Sequence, residues 1–219
     1  MISFEDIKNS SDIKTYIRKA DESLVALGYT EHSFAHVGLV AFNCKYILGS
    51  LGFSEREQEL GQIAGFLHDI GNLVNRVEHS QSGAVMAFRI LTNMDMDAAE
   101  VAEIVTAIGN HDEGTGKPVS PIAAALILAD KSDVRRSRVR NRDETSFDIH
   151  DRVNYSVKKS QLLISDDCST ISLSLDVDTN YGSVMDYFEI FMQRMIMCRK
   201  AAEALGMTFR LIINGQPLI

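Results

Sequence analysis

The stretch GFLHDIGN, residues 65–72, contains the residues on which the prediction of the fold rests. Ser54 and Glu57 have the spacing of a capping box, which predicts a helix that begins there and runs into this stretch. The helix is expected to end at His68 and Asp69, because a glycine follows directly after Ile. Such a helix places two polar side chains against an apolar core, where an isolated imidazole or carboxylate is costly to bury.

Similar caps and stops on both sides of this stretch predict further helices up to about residue 134. The predicted helices run from the caps at Asn9–Ser11 to Leu27, from Thr30 to Gly49, from Ser54 to Asp69, over residues 79–92, from Asp97 to Ile108 and from Pro121 to Asp133. Short loops join these helices, which is typical of a helical bundle.

After about residue 157 the hydrophobic residues alternate as in strands. The predicted elements are strands at Gln161–Ser165 and Thr170–Val177, a helix at Ser183–Leu205 and a strand at Thr208–Ile213. We therefore predict a mainly α protein with a helical domain over residues 1–157. A small C-terminal α+β domain with the order β-β-α-β, of unknown role, is expected over residues 158–219.

The composition limits the class of partner and the cellular setting. The net charge is −8 and the pI is about 5.2, which argues against long nucleic acid or an anionic membrane as a partner. Three widely spaced cysteines form neither a CxxC pair nor an even set, which favours a reducing compartment. The polar N-terminus has no signal-peptide pattern, and no apolar run approaches about 18 residues. We expect a cytoplasmic protein.

Six polar residues stand within or beside the predicted apolar helices: His36, His68, Asp69, His79, His111 and Asp130. A shared metal site accounts for several buried polar groups at once. Imidazole and carboxylate together suit Fe or Mn first, with Zn, Co, Ni or Mg as alternatives, and do not suit Ca²⁺. Asp69 is the best candidate to bridge two ions, because a carboxylate has two oxygens to share and an imidazole has one free nitrogen.

The spacing H…HD…H…H…D resembles the HD superfamily of metal-dependent phosphohydrolases, in its binuclear branch. The local sequences TEHSFAH, GFLHDIGN, EHSQSGAVMAFRIL and AIGNHDEGTGKP carry the resemblance, which covers about residues 30–140. It implies a helical bundle that binds two divalent metal ions. One ion would be held by His36, His68, Asp69 and Asp130, and the other by Asp69, His79 and His111. Asn72 departs from the pattern of the cyclic-dinucleotide phosphodiesterases, which have lysine there.

Other residues are candidates for contact with a small phosphorylated, nucleotide-like substrate. His32 would lie one helical turn before His36, and it is a catalytic candidate together with Asp69 and Asp112. The expected phosphate-binding residues are Lys131, Arg135, Arg136 and Arg138. If the helix continued past Asp133, then Arg135, Arg138 and Arg142 would share one face. The alternative is an ordinary solvated basic face with ion pairs to neighbouring acids.

Two other functions fit the same sequence. A di-iron oxygenase would need an equivalent set of ligands and an open position at the metals. A regulatory module would instead act through the C-terminal part, where the helix predicted at Ser183–Leu205 has a wide apolar surface. In that case we expect a homodimer formed through the C-terminal region.

Overall fold

A computed structural model describes residues 1–218 of the chain. The helices are α1 (Phe4–Asn9), α2 (Ser11–Ala26), α3 (Phe34–Ser50), α4 (Glu55–Leu67), α5 (His79–Asn93), α6 (Ala98–Gly109), α7 (Pro121–Lys131), α8 (Ile149–Ser156) and α9 (Val184–Ala204). The strands are β1 (Val157–Ile164), β2 (Thr170–Val177), β3 (Thr208–Ile213) and β4 (Gln216–Pro217). The predicted class, a mainly α protein with a small C-terminal α+β part, is confirmed.

Helix α7 lies at the centre of the bundle, and the side chains from Ile122 to Ala129 are fully or almost fully buried. It packs against α3, α4 and α6 and also against α9 from the C-terminal part. Helices α3 and α4 approach closely because Gly65 faces the backbone of Ala41, where an added Cβ would come within 2.9 Å. A helix buried on all sides in this way fixes the position of any polar residue at its end.

The predicted caps mostly form, with one correction. Ser54 and Glu57 make the reciprocal capping box, and the Ser120 side chain caps α7 at Pro121. The predicted start of α3 at Thr30 is wrong, because Ser33 is the N-cap and the helix begins at Phe34. The Glu31 carboxylate accepts hydrogen bonds from the backbone and the hydroxyl of Ser33, which holds this segment outside the helix.

The C-terminal strands form one sheet with the order β1-β2-β3-β4. Strands β1 and β2 pair as an antiparallel hairpin, whereas β2 and β3 are parallel and are connected through α9. Buried side chains alternate along β2 at Ile171, Leu173 and Leu175, as expected for a sheet that is covered on one face. The predicted order β-β-α-β is confirmed, and β4 adds a short antiparallel edge. The division into two domains at residue 157 stays a prediction.

Among residues 1–218, no helix combines the length and the apolar character that crossing a membrane would require.

Candidate metal centre

Four buried histidines lie at or near helix ends, and the Nδ1 atom of each makes a hydrogen bond to an oxygen of a neighbouring residue. The Nδ1 contacts are His36 to Asp133 Oδ2 at 2.7 Å, His68 to Gly65 O at 2.8 Å, His79 to Arg76 O at 3.1 Å and His111 to Ile108 O at 2.6 Å. Carbonyl and carboxylate oxygens accept hydrogen bonds, so each Nδ1 carries the hydrogen. In a neutral ring the Nε2 atom then has a free lone pair, which is how metal-binding histidines are held.

The free Nε2 atoms converge in two pairs. The Nε2 atoms of His36 and His68 are 3.3 Å apart, and those of His79 and His111 are 3.2 Å apart. When both rings of a pair are neutral, their two Nε2 lone pairs repel each other at this distance and cannot form a hydrogen bond. A cation between the nitrogens of each pair would remove the repulsion, and therefore the chemistry of the donors fits a metal site.

Asp69 connects the two histidine pairs through its two carboxylate oxygens. Oδ2 lies 3.3 Å from Nε2 of His68 and 3.5 Å from Nε2 of His36. Oδ1 lies 3.5 Å from Nε2 of His79 and accepts a hydrogen bond from the Asn72 amide at 2.9 Å. Oδ2 is buried without a hydrogen-bond partner among the described residues. An orphaned buried carboxylate oxygen that faces imidazole lone pairs fits a metal ligand.

The distances place Asp130 with the first histidine pair. Its Oδ1 lies 3.3 Å from Nε2 of His36 and 3.6 Å from Nε2 of His68. Two groups have ligand atoms close enough to hold one ion each: His36, His68 and Asp130, and His68, Asp69 and His111. His68 belongs to both groups, whereas the sequence assigns it to one ion only. The assignment of the second ion to Asp69, His79 and His111 stays a prediction.

The charges in the cluster favour a cation. Burial opposes ionisation of Asp69 and Asp130, but the facing histidines for Asp69, and Lys131 for Asp130, hold the pKa of each carboxyl well below its usual range. Burial also works against protonation of His68, yet the two carboxylates outweigh it and raise the pKa of His68 to about 10. Burial lowers the pKa of His111 well below its usual value, and the charge of His68 adds to the effect. The metal-free cluster therefore keeps its carboxylates ionised and retains a proton on His68.

The two halves of the cluster are the pair His36 and His68 and the pair His79 and His111. Backbone packing at Gly71 holds them together. A Cβ atom on Gly71 would lie 2.0 Å from the carbonyl oxygen of His79 and 2.4 Å from the backbone nitrogen of Gly83. Glu78, just before α5, has a left-handed φ of 59°, which turns the chain into the helix. Because no side chain intervenes, the first turn of α5 packs directly on the 3₁₀ turn that follows Asp69.

The other predicted catalytic residues lie beside the cluster. His32 stands before α3 and not on it, so the prediction that it lies on the same helical face as His36 is wrong. The two rings nevertheless meet edge to face with centroids 5.4 Å apart, and His32 Nδ1 lies 2.7 Å from the Thr30 carbonyl oxygen. Asp112 Oδ1 is 4.0 Å from Nε2 of His79. The structure thus brings both residues to the metal centre.

The basic residues after Asp130 are mostly engaged in contacts within the fold. Because α7 ends at Lys131, the predicted helical face of Arg135, Arg138 and Arg142 does not form. Lys131 Nζ contacts Asp130 at 2.7 Å, and Arg138 is buried with hydrogen bonds to the carbonyl oxygens of Glu31 and Asp133. Arg135 pairs with Asp133, and Arg136 donates to the Tyr155 carbonyl oxygen at 2.6 Å. A phosphate-binding role for Lys131, Arg135, Arg136 and Arg138 stays a prediction.

Sequence reasoning missed two arginines near the cluster. Arg76 Nη1 lies 3.9 Å from Asp69 Oδ1 and 3.3 Å from Asn72 Oδ1. Arg194, on α9, lies 2.7 Å from Glu113, which also contacts Lys131. The position of Arg76 in the short segment between Asp69 and His79 is a signal that could have identified it. Nothing in the local sequence of α9 places Arg194 near residues so distant along the chain.

Comparison with known proteins agrees with this geometry. Residues 33–135 match the family model of the HD domain, and this segment contains all six predicted metal ligands. An uncharacterized protein of Methanocaldococcus jannaschii is 27% identical over 191 residues, which cover 76% of this chain and 73% of that protein. The crystal structure of a predicted HD superfamily hydrolase from an uncultured Thermotogales bacterium is 27% identical. It covers 57% of this chain and 67% of that chain, with a TM-score of 0.45.

Residues 33–135 of the chain are identified as an HD domain. With this match, the two groups of histidine and aspartate support a metal-dependent hydrolase in general terms. The family match does not define the substrate.

Proposed function

We propose that this protein is a phosphohydrolase that uses two divalent metal ions to cleave a phosphate ester or anhydride of a small nucleotide-like molecule. The observation that carries the proposal is the convergence of the Nε2 atoms of His36, His68 and His79 on the two oxygens of Asp69, with Nε2 of His111 beside that of His79. The HD-domain match adds support. His36, His68, Asp69 and Asp130 would hold one ion, and Asp69, His79 and His111 the other.

The reaction needs a nucleophilic water and neutralisation of charge on phosphorus. Divalent ions supply both when bound, because they lower the pKa of a water ligand and polarise phosphoryl oxygens. In the chain itself, Asp69 presents one carboxylate oxygen to each half of the site. Asp133 accepts from His36 Nδ1 and so holds that ring with its Nε2 inward.

His32 is suited to accept a hydrogen bond from a water molecule. Its Nδ1 faces a carbonyl oxygen and therefore carries the hydrogen, which leaves Nε2 as the free site in the neutral ring. Burial lowers the pKa of His32 well below its ordinary value, so the ring is neutral at physiological pH. We therefore assign it the role of a water-orienting residue, because burial disfavours the protonated ring that a general acid or base would need. Asp112 is the second candidate to orient water, at the His79 side.

The test measures metal content and turnover together. Protein purified without chelator or histidine tag is analysed by elemental mass spectrometry, with about two equivalents of Fe, Mn or a similar metal expected. Phosphate release from a panel of nucleotides and sugar phosphates is then measured anaerobically with Mn²⁺. Asp69→Ala should reduce turnover at least about 10³-fold and lower the metal content, whereas Asp166→Ala, in an exposed turn, should change neither.

Unchanged turnover in Asp69→Ala would contradict the proposal. Activity that requires iron and consumes oxygen would instead support the oxygenase expected as an alternative from the sequence. Homodimerisation through the C-terminal region, which remains a proposal, is measured on the same samples by light scattering.

A further inference from the structure

A cavity of about 380 Å³ lies beside the metal cluster, between the HD helices and the C-terminal helices. One wall comes from the segment after α2 and from the loop before α5, with Tyr29, His32 and Arg76. The opposite wall comes from α8 and α9, with His150, Asn154 and Arg194. The volume is in the range that encloses a small organic ligand.

Two of the lining residues connect this cavity to the predicted metal ligands. The ring of His32 packs edge to face on that of His36, with centroids 5.4 Å apart. Arg76 Nη1 lies 3.9 Å from Asp69 Oδ1, and the Arg76 guanidinium packs over the ring of Tyr29 at 5.7 Å. A ligand in the cavity would therefore have one end at the metal centre, within reach of a guanidinium group.

Arg194 approaches the other side of the cluster through a chain of ion pairs. Its Nε lies 2.7 Å from Glu113 Oε1, and the same oxygen lies 3.3 Å from Lys131 Nζ. Lys131 Nζ in turn lies 2.7 Å from Oδ2 of the predicted ligand Asp130. The guanidinium also packs over Phe191 at 4.6 Å, which fixes its plane.

The two guanidiniums differ from Arg136 and Arg138 in the donors that they leave free. Arg136 and Arg138 donate to backbone carbonyl oxygens, so some of the N–H donors of each guanidinium are already engaged. Arg194 forms an ion pair through Nε, and within residues 1–218 its terminal nitrogens make no hydrogen bond. Arg76 uses Nη1 towards Asn72 Oδ1 at 3.3 Å and His79 Nε2 at 3.5 Å, which leaves its Nη2 and Nε as donors. A guanidinium that is anchored at Nε and free at both terminal nitrogens can bind two oxygens of one phosphoryl group.

The part of the cavity formed by α8 has a different chemistry. Asp148, Asp151 and Asn154 present carboxylate and amide oxygens there, next to the exposed ring of His150. Asn154 uses its amide nitrogen to bind the His150 carbonyl oxygen, which leaves its side-chain oxygen as an acceptor. Acceptors of this kind suit hydroxyl or amino groups and repel a second phosphate.

We propose that this cavity is the substrate pocket, in which Arg76 and Arg194 bind the phosphoryl group and α8 binds an organic part that bears hydroxyl or amino groups. The inference rests on the proposed phosphohydrolase function and extends it to a substrate class, the monophosphate of a nucleoside or a sugar. It also gives the C-terminal part a role, because α9 completes the pocket together with α8.

The test separates binding from turnover. Binding of inorganic phosphate and of adenosine monophosphate to the Mn²⁺-loaded protein is measured by calorimetry, and KM and kcat are measured with the best substrate of the panel. Arg194→Gln and Arg76→Gln should each weaken phosphate binding about tenfold. Arg194→Gln should raise KM more than it lowers kcat. Asn154→Ala should weaken binding of the organic phosphate and leave binding of inorganic phosphate unchanged.

Matched controls exclude indirect effects. Arg199→Gln removes an exposed arginine from the same helix and should have no effect. Glu113→Gln removes the anchor of Arg194, and if Arg194 acted only through Glu113 and Lys131, this variant would reproduce all effects of Arg194→Gln on KM and kcat. Arg194→Lys keeps the charge and should restore part of the binding, which guards against misfolding of the glutamine variant.

Unchanged phosphate affinity and KM in Arg194→Gln and Arg76→Gln, with the wild type active, would overturn the pocket assignment and leave the proposed function intact. A wild-type protein that releases phosphate from no member of the panel would contradict the function itself. Tighter binding of ribose 5-phosphate than of adenosine monophosphate would identify the sugar and not the base as the recognised part.

Discussion

The metal cluster and the basic segment 131–138 are both rich in buried polar side chains, yet they differ in what those side chains leave unsatisfied. In the cluster, every histidine makes a hydrogen bond to a neighbouring oxygen through Nδ1 and turns its Nε2 inward, towards the other ligand atoms. In the basic segment, Arg135, Arg136 and Arg138 donate to neighbouring carboxylate and carbonyl oxygens. Unsatisfied donors and acceptors therefore indicate a binding site better than a high density of charged residues does.

The largest effect on stability is expected at Arg138. The side chain is 4% exposed and donates to two carbonyl oxygens, so Arg138→Ala leaves both buried carbonyl oxygens without their donor and removes one of the positive charges that face Asp133. We expect a loss of about 3 kcal/mol in the free energy of unfolding. Chemical denaturation measures it, with the exposed Arg142→Ala as control. A loss below about 0.5 kcal/mol would show that the hydrogen bonds of Arg138 do not stabilise the fold.

The outer partner of His36 provides the next test. Asp133→Asn keeps the shape but removes the negative charge that holds the His36 ring. Metal affinity should fall about 10- to 100-fold, while the fold is retained. Competition with a chromogenic chelator gives the affinity. Equal affinity in the variant and the wild type would show that the orientation of His36 does not depend on Asp133.

Proton competition should then distinguish the cluster from an ordinary surface site. The pKa of His68 is raised to about 10 by Asp69 and Asp130, although burial acts against it, so at neutral pH a metal ion must displace a proton. Affinity for Mn²⁺ should rise about tenfold per pH unit between pH 6.5 and 8. Calorimetry in buffers of different ionisation enthalpy counts the released protons. An affinity that does not change with pH would contradict the protonated state of His68.

The smallest effect is expected at Arg136. Its guanidinium lies over the rings of Tyr155 and Tyr181 at 4.4 and 5.1 Å and pairs with Asp178, away from the cluster. Arg136→Gln should cost about 1 kcal/mol of stability, measured by thermal unfolding, and leave KM within about twofold. A large increase in KM would instead indicate that Arg136 contacts the substrate.

Elements with strong local signals could be predicted from the sequence. Strands β2 and β3 have the predicted bounds, because turn residues and alternating apolar residues define both ends. The start of α3 could not be predicted, since Thr30 and Ser33 are both good caps and the Glu31 carboxylate decides between them.

The candidate site divides in the same way. The six predicted ligands were recognisable because a polar residue in an apolar helix is rare and their spacing is specific. The arginines proposed to bind phosphate were not recognisable, because the partners of a basic residue depend on tertiary structure. Arg136 meets Tyr181 and Asp178 from the C-terminal part, and Arg194 reaches Glu113 from α9. No local sequence pattern predicts contacts between residues so far apart in the chain.

The close contact at Gly71 has a consequence for the choice of metal. Because the carbonyl oxygen of His79 occupies the space of a Cβ, the distance between the two halves of the cluster is set by main-chain contact and not by the reach of the ligands. Even a methyl group at this position would push the two histidine pairs apart. If the cluster binds metal ions as proposed, the sizes of the ions that it accepts would then depend on a residue that offers no ligand atom.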